Sequence, residues 1–280
     1  MPKGEPEATA REYFLEAYRQ FEQKHDFTAR IFKVVGGQKR DQRRFWANLL
    51  FLRLSMIGLS LLHLCQPELR NREKNSAEAT CALDPTSISA VGRTLLEACV
   101  MFLYVSELSV PEPEWSLRRK VLELNDLTAR YRMTKDIGLL SDGDEDRKDA
   151  LEFKKNIEAI RGSIASDPIF QGLDVERQKK VLGGQELYIN GLRTVVREGG
   201  LNVDEFNVMY ATLSAHAHSA PVSFVRNILE PSEPILGFVS GYQYSISGNA
   251  LTYATAVTER ACERMFFLYP ELFLKGQTNH

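Results

Sequence analysis

Between Ser87 and Ser106 the chain runs SISAVGRTLLEACVMFLYVS, twenty residues whose only charges are Arg93 and Glu97. A helix that is apolar on nearly every side is stable in water only when other elements cover it. This one segment therefore demands a central helix with neighbours packed around it. Asp84 followed by Pro85 supplies the start, an N-cap with proline at the first helical position. The expected helix runs to about Val105.

The rest of the chain offers the neighbours, because apolar spacings of three and four dominate it. Phe14, Ala17, Tyr18 and Phe21, then Ile31, Phe32 and Val35, mark a first helix over 7–35 that ends at Gly36 and Gly37 and is expected at the periphery. A second helix follows from about Asp41 to Leu64. Residues 66–84 are polar, carry Pro67, Asn71 and Asn75, and read as a long surface loop. Beyond Pro111 and Pro113, a fourth helix carries Leu117, Val121, Leu124 and Tyr131 on one face. An acidic turn over Asp142–Asp146 precedes a charged amphipathic helix marked by Phe153, Ile157, Ile160 and Ile164. Residues 166–202 are interrupted by Gly172, Gly183, Gly184, Gly199 and Gly200 and read as irregular, with short helical pieces. A clearer helix spans about Val203 to Ser219 and stops before Pro221. Residues 234–247 mix glycine with aromatic and β-branched residues, which suits a short hairpin or an extended excursion. Asn249 is the expected cap of a last helix that reaches Tyr269 before Pro270. The sum is one all-α domain over 1–280, an irregular multi-helix bundle around a buried central helix.

Composition narrows the function classes. A net charge of −2 argues against a broad basic field for wrapping duplex DNA. The four cysteines, Cys65, Cys81, Cys99 and Cys262, show neither C-x-x-C pairing nor a disulfide framework. The opening MPKGEPEATARE lacks the apolar core of a signal peptide, so the expectation is a cytoplasmic protein with reduced thiols. Trp46–Cys65 is long enough to cross a bilayer, but Arg53, with Ser55, Ser60 and His63, favours a core helix and no membrane contact.

Two constellations carry chemistry. Arg93 and Glu97, four apart on the third helix, share a face and can pair. Charges buried there need partners, either as an ion pair that fixes helix register or as the floor of a functional cleft. On the later helix Tyr210, Ser214 and His218 form a second stripe at i, i+4, i+8, with His216 nearly opposite. Phe206, Leu213 and Ala217 flank the stripe and suggest that it faces inward. The imidazole is either a core histidine bonded to a carboxylate or carbonyl, or a working acid or base.

These runs, R-T-L-L-E at Arg93–Glu97 and Y-A-T-L-S-A-H-A-H at Tyr210–His218, together resemble a bacterial family known only as a domain of unknown function. Its members are mostly helical and pair an R-x-x-x-E helix with a later Y-x-x-x-S-x-x-x-H helix. The resemblance covers roughly residues 45–220 and implies that Arg93, Glu97, Tyr210, Ser214 and His218 converge. It supplies no activity. By fold-level analogy such proteins also look like distant relatives of the nucleotide-binding and RNA-cleaving helical bundles of bacterial toxins and phage defence. Those carry Arg and His four to six residues apart on one helix, a spacing met here only by Arg19 and His25.

Lesser signals remain. Lys39, Arg40, Arg43 and Arg44 beside Phe45 and Trp46 form a basic cluster, read either as a weak nucleic-acid contact or as a solvated helix start. Arg177, Lys179 and Lys180 are a weaker one. Glu259 and Glu263 lie four apart, but the paired E-x-x-H spacing of bundle metal sites is missing, so neither a metal nor a cofactor is expected. Nucleotide-loop, serine-elbow and zincin motifs do not occur. Two functions compete: a regulatory protein that binds a partner protein or small ligand, and a hydrolytic enzyme, such as a defence or stress nuclease. In the second, His218 is the acid or base, Arg93 stabilises phosphoryl charge, Glu97 orients Arg93, and Tyr210 and Ser214 position substrate.

Overall fold

The structure is a computed structural model of the 280-residue chain and describes residues 5–36, 41–74, 83–138, 144–218, 220–221 and 239–273. All regular structure among them is helical: α1 Glu5–Val35, α2 Gln42–Lys74, α3 Pro85–Ser106, α4 Glu112–Gly138, α5 Asp144–Ala165, α6 Pro168–Gln171, α7 Val175–Leu182, α8 Leu192–Glu198, α9 Val203–Ala217, α10 Gly241–Leu268 and α11 Pro270–Phe273. The chain groups into two compact units, one of residues 1–106 with 200–280 and one of residues 107–199.

In the first unit α3 is the centre. Asp84 caps it through its carboxylate, which accepts from the backbone N–H groups of Thr86 and Ser87 at 3.0 and 3.1 Å. Ile88, Leu95, Cys99 and Phe102 of α3 are fully enclosed by α2, α9 and α10. Phe102 meets Phe51 of α2 with ring centroids 5.8 Å apart. α3 is nonetheless not covered all round. Thr94 and Glu97 are exposed and Arg93 is half-buried, so one strip of the helix reaches water.

The expected peripheral first helix gives way to a core element. α1 lies along α10 and buries Phe14 and Phe21 completely. Gly248 of α10 makes this approach possible, since a Cβ there would stand 2.7 Å from the Tyr13 ring and 3.4 Å from the Phe14 backbone. Residues 66–74, expected in a loop, continue α2 instead, because Glu68, Leu69, Arg70, Arg72, Glu73 and Lys74 are all good helix formers. Of the expected hairpin over 234–247, residues 234–238 lie outside the described residues and 241–247 are the first turns of α10. Ser240, not Asn249, caps that helix. Its hydroxyl accepts from the Gln243 N–H while the Gln243 side chain accepts from the Ser240 N–H, a reciprocal box that overrides the strand-like composition.

The second unit is built by α4–α8 around Trp115, Leu117, Val121, Leu124, Ile157, Ile164, Phe170, Val181 and Val196. The acidic turn expected at Asp142–Asp146 falls partly outside the described residues, and α5 has already begun at Asp144. Arg118, only 2% exposed, is held by Glu114 at 2.7 Å and Glu198 at 3.3 Å.

α2 has an unexpected second face. Its inner side packs Ala47, Phe51, Leu54, Leu61 and Cys65 into the core, while Phe45, Leu49, Leu52, Met56 and Leu59 are exposed on the other side. Both α2 (Gln42–Gln66) and α3 are long and apolar enough to cross a membrane, with 39% and 67% of their most apolar windows buried in the protein.

Candidate functional site

α3 and α9 meet along the strip that α3 leaves open. Asn202 starts α9 by accepting from the N–H groups of Asp204 and Glu205, and Phe206, Met209, Leu213 and His216 form its buried face. That registers Tyr210 and His218 on the flank facing Arg93 rather than inward as expected. Tyr210 is half-buried and His218 exposed.

Arg93 is the hub. Its Nε donates to Glu97 Oε1 at 3.0 Å, its Nη2 to the Tyr210 hydroxyl at 2.9 Å, and its Nη1 contacts His218 Nε2 at 2.6 Å. A guanidinium only donates, so His218 Nε2 is the acceptor and its ring proton sits on Nδ1. The Tyr210 hydroxyl in turn donates a hydrogen bond to Glu97 Oε1 at 2.9 Å. The Arg93 Cζ also stands 4.8 Å from the Tyr210 ring centroid, within cation–π range, and that ring stacks on Phe206 at 5.8 Å. Arg93, Glu97 and Tyr210 thus close a polar ring between α3 and α9, with His218, the C-cap residue of α9, joined to it through Arg93.

The electrostatics agree with this wiring. Burial alone lowers the Arg93 value, but bonds to Glu97 and Tyr210 outweigh it and hold the guanidinium above its ordinary range. Tyr210 is also pushed up, first by burial and then by its bond to Glu97, so it remains a neutral donor. Arg93 and Glu97 are 23% and 47% exposed, not sealed in the core as their helix suggested.

Ser214 stays out of the ring. Its hydroxyl turns back to the Tyr210 carbonyl of its own helix, the usual fate of a helical serine. His216, which the sequence set aside, is the buried histidine, 2% exposed, with Nε2 at 3.2 Å from the Tyr242 hydroxyl and Nδ1 without a partner. Burial lowers its pKa from the ordinary value of 6.5. Along the same seam, Leu96, Phe206, Met209, Tyr253 and Val257 line an apolar cleft of about 60 Å³, room for little more than water.

The other sequence candidates are engaged elsewhere. Arg44 pairs with Asp41 and Glu271 and lies 4.9 Å from the Tyr269 ring centroid, which ties it into the fold; Lys39 and Arg40 lie outside the described residues. Arg177 donates to the Ile189 and Tyr188 carbonyls and pairs with Glu186. Glu259 is held by Lys24 and Glu263 by Arg260, both carboxylates neutralised by cations. Arg19 pairs with Glu16, and His25 Nε2 meets the Ser55 carbonyl at 2.8 Å on a different neighbour. Among the described residues, no three His, Cys, Asp or Glu side chains gather at metal-binding range.

No family model, curated protein or solved structure matches the chain, so the ring stands on its own geometry. Sequence reading missed the exposed α2 face entirely. Its signal was the spacing 45, 49, 52, 56, 59, alternating steps of four and three within a helix apolar on its other side as well.

Proposed function

We propose that this chain is a non-catalytic, regulatory helical protein of the cytoplasm that works by docking a helix of a partner protein on α2. The observation that carries this reading is the exposed row Phe45, Leu49, Leu52, Met56 and Leu59, whose spacing averages 3.5 residues. That is the repeat by which two helices interlock. With each side chain about half exposed, the row offers on the order of 400–500 Å² of apolar surface, the size of the largest patch on an ordinary monomer, which is often functional.

Charge selects the occupant. From Gln42 to Gln66 the helix holds Arg43, Arg44 and Arg53 and no carboxylate, and Arg53 is exposed within the row. A second copy paired about a two-fold axis near Leu52 and Met56 brings Arg53 against its own image, an unfavourable contact. A partner helix with an apolar stripe flanked by Glu and Asp is complementary instead.

The test uses the full-length protein and two synthetic helices with leucine at this spacing, one flanked by glutamate and one by lysine. Fluorescence anisotropy is expected to show binding of the glutamate-flanked helix at least about tenfold tighter, with loss of binding in Met56→Glu. Equal or absent binding of the two peptides overturns the reading. So does a stable homodimer in light scattering, or sedimentation with anionic vesicles, when either disappears in Met56→Glu.

A hydrolytic reading is kept because the ring brings Arg93 and His218 within 2.6 Å from positions 125 residues apart. Against it, the Nε2 lone pair that a general base needs faces the guanidinium. Overexpression decides: growth arrest that disappears in His218→Ala supports hydrolysis, and growth arrest indifferent to that change removes it.

A further inference from the structure

The second unit contains a groove that neither the ring nor the α2 face accounts for. It lies between α4 and α5, is closed at one side by Gly183, and encloses about 490 Å³. Each helix presents one face to it at i, i+3, i+4, i+7: Thr128, Tyr131, Arg132 and Lys135 from α4, and Lys154, Ile157, Glu158 and Arg161 from α5. Asp136 completes the rim. Four cations therefore face two carboxylates.

Among the described residues, only one of the four cations is paired with a carboxylate. Glu158 is taken by Arg161 Nη1 at 2.8 Å, while Arg161 Nε donates to the Leu182 carbonyl at 2.9 Å, which fixes that guanidinium in place. Arg132, Lys135 and Lys154 form no ion pair among the described residues. Thr128 lines the groove without offering it a donor. It is 5% exposed, its hydroxyl has no hydrogen-bond partner among the described residues, and its Oγ1 is the atom that a Cβ on Gly184 would meet first, so the hydroxyl is packed against that backbone. The recognition chemistry of the groove lies instead in those three cations and in the anchored Arg161.

We infer that this groove binds a nucleotide-sized organic phosphate. The volume lies within the range of small-molecule sites. Arg132, Lys135 and Lys154 neutralise the phosphates, and the Tyr131 ring with Ile157 offers an apolar wall for a base. This site is independent of the α2 docking face and survives the failure of that reading.

The experiment follows trinitrophenyl-ATP fluorescence on the full-length protein, with ATP, AMP, adenosine and inorganic phosphate as competitors. ATP and AMP are expected to displace the probe, adenosine to fail, and affinity to fall as salt rises. Arg132→Ala with Lys135→Ala, both exposed and harmless to folding, is expected to weaken binding about tenfold or more. The inference is overturned if the wild type does not bind the probe, if inorganic phosphate competes as well as ATP, or if the double variant binds like the wild type.

Discussion

Replacing Arg93 by alanine removes three donors at once, and the structure sets how much that costs. The Glu97 contact is an i, i+4 pair on a half-open surface, worth about 0.3–0.5 kcal/mol. The bond to the Tyr210 hydroxyl is part-buried and contributes about 1 kcal/mol, and the one to exposed His218 about half that. Nothing is left orphaned, since Tyr210 still donates to Glu97 and both Glu97 and His218 reach water. The expected loss is therefore about 2 kcal/mol, and a unit of this size then melts about 4–8 °C lower. Differential scanning calorimetry of Arg93→Ala, Tyr210→Phe and the double variant measures it, with an expected coupling of about 0.5–1 kcal/mol. A Tm within a degree of wild type, or zero coupling, refutes the clasp between α3 and α9. A loss well beyond about 4 kcal/mol also refutes the reasoning, because it requires a charge buried more deeply than this one.

Arg118→Ala should destabilise by about 2–4 kcal/mol in urea unfolding, more than Arg93→Ala, because its guanidinium is enclosed. His216 sets an acid limit. Its folded pKa is below the ordinary 6.5, so its contribution is present above that value and is lost as pH falls below it. Melting curves between pH 7 and 5 should show this slope, and His216→Leu should flatten it. Gly92→Ala should stabilise by about 0.5–1 kcal/mol, since the added methyl would lie 3.5 Å from the Ala250 Cβ, ordinary contact distance, and alanine is the better helix former; calorimetry reads the rise in Tm.

The all-α class was legible because apolar spacing runs the length of the chain, and α3 because Asp84, Pro85 and its apolar run agree. The start of α10 was not. Tyr242, Tyr244 and Ile246 have strand propensity, and only contact with α1 and the reciprocal Ser240–Gln243 cap make them helical. The ring was half legible. Spacing put Arg93 with Glu97 and Tyr210 with His218, but which side of α9 faces the core depends on Met209 and His216 being buried, which no single helix records. The inward stripe was therefore misassigned, and Ser214 with it. The outer face of α2 was invisible for the converse reason. When both faces of a helix are apolar, the periodic contrast that marks a buried side vanishes.

The pairing of α1 with α10 has a consequence for biosynthesis. The Tyr13 hydroxyl meets Asn249 and Thr252, partners 236 and 239 positions downstream, so the unit of residues 1–106 and 200–280 closes only after that later segment has been synthesised. Residues 107–199, being continuous, can fold meanwhile. At ordinary elongation rates α3 waits on the order of ten seconds for α10 to emerge from the ribosome. Through that interval Phe14, Phe21 and Leu95 lack their final cover, a transient apolar exposure of the kind that favours aggregation.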